Sequence, residues 1–214
     1  QAMQKELTSL VKGLDEKIHL IYNFVDCEEV ETLSKDYVNH SWLQTKRSKV
    51  ILSAGRLSNQ KNWPVLLDAF SKVQKDYDIK LIILGEGPER ESINNLIEDL
   101  ELREFVSLPG FKKNPYSWMS KSDIFILSSD FEGFPNVLVQ ALACGCKVIS
   151  SDCESGPREI LENGKWGRLF NVGDSIDLAS KLQEALSEED ILETRERAEF
   201  FSLDKCLNLY ENLL

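Results

Sequence analysis

The chain has 214 residues, 42% hydrophobic and 29% charged, with a formal net charge of −11. Such a length buries a full core as one α/β domain or two small ones, and the composition is that of an ordinary globular protein. The acidic balance argues against nucleic acid as the main partner, since phosphate backbones select basic faces, but it permits a local basic pocket.

Taken in order, residues 18–22 (IHLIY) read as a short strand ended by Asn23 and Asp26, and the acidic stretch 27–37 as a loop or short helix. Residues 50–54 form a buried strand, and Gly55 with the polar run 56–62 forms a long turn. Apolar residues at helical spacing (Val65, Leu66, Ala69, Phe70, Val73) predict a helix over 63–77, with Pro64 suited to its first turn. The pattern repeats: strand 80–84, turn 85–88, helix 89–100, strand 105–108, loop 109–114, short helix 116–120. Then come strand 123–127, helix 135–143 stopped by Gly145, strand 147–150, helix 156–161, strand 168–172 and helix 175–186. The tail, 188–214, reads as helical and amphipathic, with Phe200, Phe201, Leu203, Leu207, Leu209, Tyr210 and Leu213 as its apolar set.

Apolar strands separated by single helices predict a doubly wound parallel sheet, covered on both faces. Ligands of such sheets bind outside the carboxyl ends of the strands. That edge collects Arg56 and Lys61, the 85–88 turn, residues 110–113 and residues 128–136. Arg56 and Lys61 can bracket a pyrophosphate, the one as a fork and the other as a point charge; as a bland alternative they are two solvated surface residues. The turn Gly85-Glu86-Gly87-Pro88 allows close backbone approach but is no dinucleotide fingerprint, because Arg90 stands where the third glycine belongs. Gly110-Phe111-Lys112 is either a base-contacting loop or plain surface.

The run 128–152 carries the strongest internal spacing. The start of its helix suits an anion through free N–H groups and the positive end of the dipole. Pro135 has no N–H, so in the stretch from Phe134 the donors are Asn136 and Val137. Glu132 precedes the helix and Gln140 follows eight residues on, about 12 Å along an axis if all were helical, so the two can address opposite ends of one ligand. The alternative is an ordinary loop and core helix with a surface Glu and Gln. The five cysteines, odd in number and scattered, fit a reducing compartment; Cys144, Cys146 and Cys153 lack a C-x-x-C pair or nearby His and read as small core residues. His19 and His40 are isolated and receive no catalytic role.

The segments SAGRL with Gln60-Lys61, GEGPER, VSLPGF, EGFPNVLVQALACGCKVISSD and SGPREIL together resemble the C-terminal, donor-binding domain of retaining GT-B glycosyltransferases of family four, and IHLIYNFVD resembles its interdomain linker. The resemblance implies a Rossmann-like fold, the C-terminal half of a GT-B architecture. Residues 1–45 are then a remnant or linker from an N-terminal acceptor domain, and 46–214 a nucleotide-sugar-binding domain with C-terminal helices. It implies that Arg56 and Lys61 hold the donor's pyrophosphate, that Glu132 positions the transferred sugar, and that amides of Phe134, Asn136 and Val137 meet phosphate. Gly85 and Phe111 lie along the nucleotide, and no covalent nucleophile is assigned. Gln140 departs from the pattern, which has a second Glu on the ribose hydroxyls, so weaker nucleotide binding is expected, by about 1 kcal/mol.

The implied reaction is retaining transfer of a hexose or N-acetylhexosamine to a saccharide or lipid-linked acceptor in polysaccharide, lipopolysaccharide or glycolipid synthesis. No metal and no cofactor are expected; a nucleotide sugar, expected to be a UDP-sugar, is the substrate. The place of action is expected to be the cytoplasm, at the inner face of the membrane for a peripherally associated full-length enzyme. No apolar run approaches the ~20 residues of a membrane helix, and the opening Gln1-Ala2-Met3 fits a fragment, expected to be inactive without its acceptor domain. The final LYENLL helix resembles a segment that packs across to that domain, leaving an apolar face as a route to dimers. Two rivals remain: a GT-B nucleotide-sugar epimerase, which isomerises its nucleotide sugar without acceptor, and a non-catalytic nucleotide-binding module, which transfers nothing.

Overall fold

The computed structural model describes residues 19–45, 47–188 and 193–211. Six strands, β1 (Lys49–Ala54), β2 (Ile79–Leu84), β3 (Val106–Gly110), β4 (Ile124–Leu127), β5 (Lys147–Ser151) and β6 (Arg168–Phe170), form one sheet in the order β3-β2-β1-β4-β5-β6. Every neighbouring pair is parallel. A parallel sheet must be buried on both faces, and strand alternation divides its side chains accordingly. Val50, Leu52, Ala54, Phe125 and Leu127 enter one core, while Ile51, Ile124 and Ile126 enter the other. Ser53, buried within β1, is satisfied by donating to the Ile126 carbonyl at 2.7 Å.

The helices follow in chain order as α1 (Cys27–Leu33), α2 (Ser41–Thr45), α3 (Trp63–Val73), α4 (Arg90–Asp99), α5 (Tyr116–Met119), α6 (Asn136–Ala143), α7 (Pro157–Ile160), α8 (Ser175–Ser187), α9 (Thr194–Glu199) and α10 (Leu203–Glu211). Leu66, Phe70 and Val73 of α3 share a core with Leu178, Leu182 and Ala185 of α8. Asn62, in the left-handed region at φ 47°, accepts from the Val65 N–H and starts α3, with Pro64 in the first turn. Asp174 starts α8 by accepting from the N–H groups of Ile176 and Asp177. Val25, Val30, Val38 and Leu43 join α6 and the sheet in the other core, so residues 25–45 pack directly onto the sheet-bearing body.

Most predicted elements form within a few residues of their expected ends. Residues 19–22 do not form the expected strand, and Ile18 lies outside the described residues. Among the described residues this run joins no β-ladder, and the first β contact comes at Val25, whose N–H donates to the Phe201 carbonyl at 2.8 Å. The described part of the tail is two helices rather than one, because Phe201 turns into the core between them, 1% exposed. Residues 189–192 and 212–214, Leu213 among them, lie outside the described residues. The turn of α2 was not anticipated. Among the described residues no helix is long and apolar enough to cross a membrane. Cys144, Cys146, Cys153 and Cys206 are free and buried, and burial pushes the Cys144 thiol up to about 12.

The strand order places β1 beside β4, with the chain running outward to β2 from one and to β5 from the other. Loops leaving these two strands diverge and open a crevice at the sheet's carboxyl edge.

Candidate functional site

Backbone packing fixes the floor of the crevice. Gly85, directly after β2, has φ +147°, and a Cβ there would lie 1.9 Å from the Gly55 carbonyl oxygen. A Cβ on Gly87 would lie 2.3 Å from the Leu57 carbonyl oxygen. Only glycines allow this approach, and main-chain bonds use it: Gly55 N–H to Leu84 O at 3.0 Å, Leu57 N–H to Glu86 O at 2.9 Å, and Gly85 N–H to Gly110 O at 3.1 Å. The loops after β1, β2 and β3 thus form one sheet of backbone. Arg90, at the missing third glycine, pairs with Glu86 at 2.7 Å and donates to the Leu108 carbonyl at 2.9 Å, a structural role.

Across the crevice the loops after β1 and β4 are tied by side chains. Lys61 Nζ meets Glu132 Oε1 at 2.6 Å, with side-chain exposures of 15% and 10%. Ser129 Oγ donates to the same Oε1 at 2.6 Å. Ser128 Oγ donates to the Lys61 carbonyl at 2.7 Å, and Ser155 Oγ to the Glu132 carbonyl at 2.6 Å. Asn62 donates to Asp130 at 2.5 Å, and Gln60 to the Phe131 carbonyl at 2.8 Å. Gly156 closes the layer below: a Cβ there would meet Pro135 Cδ at 2.6 Å.

The cleft between these loops has a volume of about 490 Å³. Of the residues expected from the sequence, Arg56, Lys61, Gly85, Phe111, Glu132, Phe134, Asn136 and Val137 all line it. Arg56 is exposed, and among the described residues its guanidinium has no hydrogen-bond or ion-pair partner. Phe111 presents its ring at 72% exposure on the rim. The α6 helix starts against the cleft with Pro135 as its cap and no side-chain cap bond, leaving the Asn136 and Val137 amides for an external acceptor. Asn136 itself accepts from Asn23 at 3.1 Å, and the Phe134 ring turns away to pack on Tyr22 and Phe201 at 5.6 and 5.5 Å. Phe134 therefore offers backbone rather than ring. Three cations, Arg56, Lys61 and Lys112, face two carboxylates, Glu86 and Glu132, so an acidic chain carries a locally cationic cleft.

Gln140 is the expected residue that does not line the cleft. The helix begins only at Asn136, four residues after Glu132, and Gln140 lies a turn further in, where its Nε2 donates to Tyr116 Oη at 3.4 Å. Tyr116, next to the cleft residue Pro115, has its hydroxyl pKa raised, by burial first and by Glu29 second. Sequence reasoning singled out the loops containing Glu86 and Lys112 but not these side chains, and it missed Pro115 and the bracing serines 128, 129 and 155. The serines carry no signal in isolation, because their partners lie up to 67 residues away. His40 lies apart from this cleft, its Nε2 3.2 Å from Ser107 Oγ.

The chain matches a family model described as glycosyl transferases group 1 over residues 38–199. It is 35% identical over 82% of its own length, and 46% of the relative's, to N-acetylgalactosamine-N,N'-diacetylbacillosaminyl-diphospho-undecaprenol 4-alpha-N-acetylgalactosaminyltransferase of Campylobacter jejuni subsp. jejuni serotype O:2. It is 28% identical to the N-acetyl-alpha-D-glucosaminyl L-malate synthase of Bacillus anthracis, covering 97% of this chain and 56% of that one. Among solved structures, Anabaena HepE in complex with UDP and glucose superposes with a TM-score of 0.84 at 23% identity, over 98% of this chain and 60% of that chain. The chain spans about half the length of these curated relatives. With its strand order, its crevice and a family match across most of its length, the chain belongs to the glycosyl transferases group 1 family.

Proposed function

We propose that the cleft binds a nucleoside-diphosphate sugar, with UDP as the nucleotide, and that the whole protein transfers the sugar with retention of anomeric configuration. The observation that carries this reading is the juxtaposition of Arg56, without a partner among the described residues, the Lys61–Glu132 pair and the start of α6, which has no side-chain cap bond, on one cleft of about 490 Å³. A pyrophosphate is the anion that matches two cations on one wall and two free amides on the other. The same groups stabilise the negative charge on a departing nucleoside diphosphate, so the chain's own donors can assist the leaving group. Glu132 lies beyond the phosphates, where it accepts sugar hydroxyls as a positioning group. UDP is favoured because the structural neighbour HepE carries UDP and glucose.

The transferred group is read as a hexose or N-acetylhexosamine, and the acceptor as a saccharide or lipid-linked saccharide, as the name of the Campylobacter relative suggests. We assign the donor to residues 46–214 and acceptor binding to a second domain. Calorimetric titration with UDP, GDP, ADP and their sugars tests the reading. Saturable binding of one nucleoside diphosphate and its sugar is expected; no binding of any at millimolar concentration contradicts it.

A further inference from the structure

We propose that Ser129 is a positioning residue for the donor sugar, fixing which oxygen of Glu132 the sugar meets; this rests on the donor-site reading above. A carboxylate has two oxygens and about four acceptor positions, and its rotation decides which are offered. In Glu132 one oxygen is committed. Oε1 takes both the Lys61 ammonium and the Ser129 hydroxyl, each at 2.6 Å. Oε2 has no hydrogen-bond partner among the described residues, yet it is not a sealed, unsatisfied buried atom. Glu132 lines the cleft, so Oε2 is the acceptor left for a ligand hydroxyl.

The frame around this arrangement is built to hold it. Ser129 is 0% exposed and directly follows Ser128 at the end of β4. Its carbonyl is anchored separately by Ser151 Oγ at 2.6 Å, so its hydroxyl is free to serve Glu132 alone. Ser128 and Ser155 pin the carbonyls of Lys61 and Glu132, which fixes both backbones and leaves side-chain rotation as the remaining freedom. Ser129 removes that freedom. Without its hydroxyl the carboxylate can turn to meet Lys61 through both oxygens. That withdraws Oε2 from the sugar and draws the ammonium away from phosphate-directed geometry only slightly, since the ion pair persists. The consequence is selective: the sugar part of the ligand loses an acceptor and the nucleotide part does not.

The test compares the 214-residue chain with its Ser129→Ala and Ser129→Cys variants by calorimetric titration. The ligands are UDP and, separately, UDP-glucose, UDP-N-acetylglucosamine and UDP-N-acetylgalactosamine. For the UDP-sugar that wild type binds, Ser129→Ala is expected to weaken affinity about fivefold while UDP affinity stays within about twofold. Ser129→Cys, similar in size with a weaker donor, is expected to fall between. Retained UDP binding doubles as the check that the variant folds. Equal loss of UDP and UDP-sugar makes Ser129 a purely structural residue and overturns the proposal. Unchanged UDP-sugar affinity in Ser129→Ala, with wild type binding its sugar nucleotide normally, overturns it as well while leaving the donor site standing. A wild-type chain that binds neither UDP nor any of the three sugars overturns the donor-site reading and the positioning role together.

Discussion

Lys61 and Glu132 neutralise each other at 2.6 Å while largely withdrawn from solvent. Removing one partner leaves the other charge buried and uncompensated. Lys61→Met is therefore expected to cost about 3 kcal/mol in urea unfolding. The same variant should weaken UDP binding at least tenfold while leaving uridine binding unaltered, because in the proposed donor site only the phosphates meet the ammonium. Gln140 makes a second residue-scale case. Its long bond to Tyr116 Oη, 3.4 Å, is a weak one, and a carboxylate there would accept from the tyrosine hydroxyl and, for a ribose that extends past the cleft-lining Pro115, from its hydroxyls. Gln140→Glu is expected to tighten nucleotide binding by about 1 kcal/mol, roughly fivefold, in calorimetry; unchanged or weaker binding would oppose that assignment. The cations, the carboxylate and the helix-start residues of the cleft were legible from the sequence because each sits in a loop directly after a strand. The hydroxyl on Glu132 was not: a serine shows its purpose only once the carboxylate it serves is seen to have one oxygen already paired with a lysine.

At the scale of elements, the turn after β2 depends on its glycines. Gly85→Ala must accommodate a Cβ 1.9 Å from a carbonyl oxygen at φ +147°, and about 3 kcal/mol of stability should be lost. Gly133, in the β4–α6 loop, has nothing within 4 Å of a built Cβ, and Gly133→Ala should change stability by less than about 1 kcal/mol. Thermal unfolding of the two variants compares them directly. His40, just before α2, meets Ser107 of β3 at 3.2 Å, and this contact is expected to respond to pH. Burial, with Lys112 second, lowers the His40 pKa from the ordinary 6.5. The unfolded chain then binds the proton more readily, so stability falls as pH drops from 6.5 through the lowered value and is flat below it. His40→Gln should flatten that slope in urea titrations between pH 7 and 5, as checked by the unfolding midpoint. The central strands β1, β2 and β4 were legible because each is a nearly unbroken apolar run. The run at 18–22 resembles them, but its described part, 19–22, meets no neighbouring strand among the described residues, and the tail's break at Phe201 follows from a ring seeking the core, which helical periodicity does not encode.

Across the whole molecule, an alternation of strands and helices in sequence becomes a six-stranded parallel sheet whose one topological reversal, between β1 and β4, creates the cleft. The order of strands was not written in any single segment; it arises because crossovers on the two sides of β1 and β4 run in opposite directions. Outside the cleft lining, Phe24, Phe200, Leu207 and Tyr210 are each about half exposed, at 53%, 50%, 49% and 57%. The isolated chain should associate with rising concentration in sedimentation, and Leu207→Lys with Tyr210→Lys should shift it toward monomer. In the proposed donor site a nucleoside diphosphate seats its phosphates on the start of α6. Amide NMR of the chain titrated with UDP and with uridine tests this most directly. The Asn136 and Val137 amide resonances should move with UDP and stay in place with uridine; UDP that binds elsewhere in the spectrum while leaving both amides unmoved would contradict the claim.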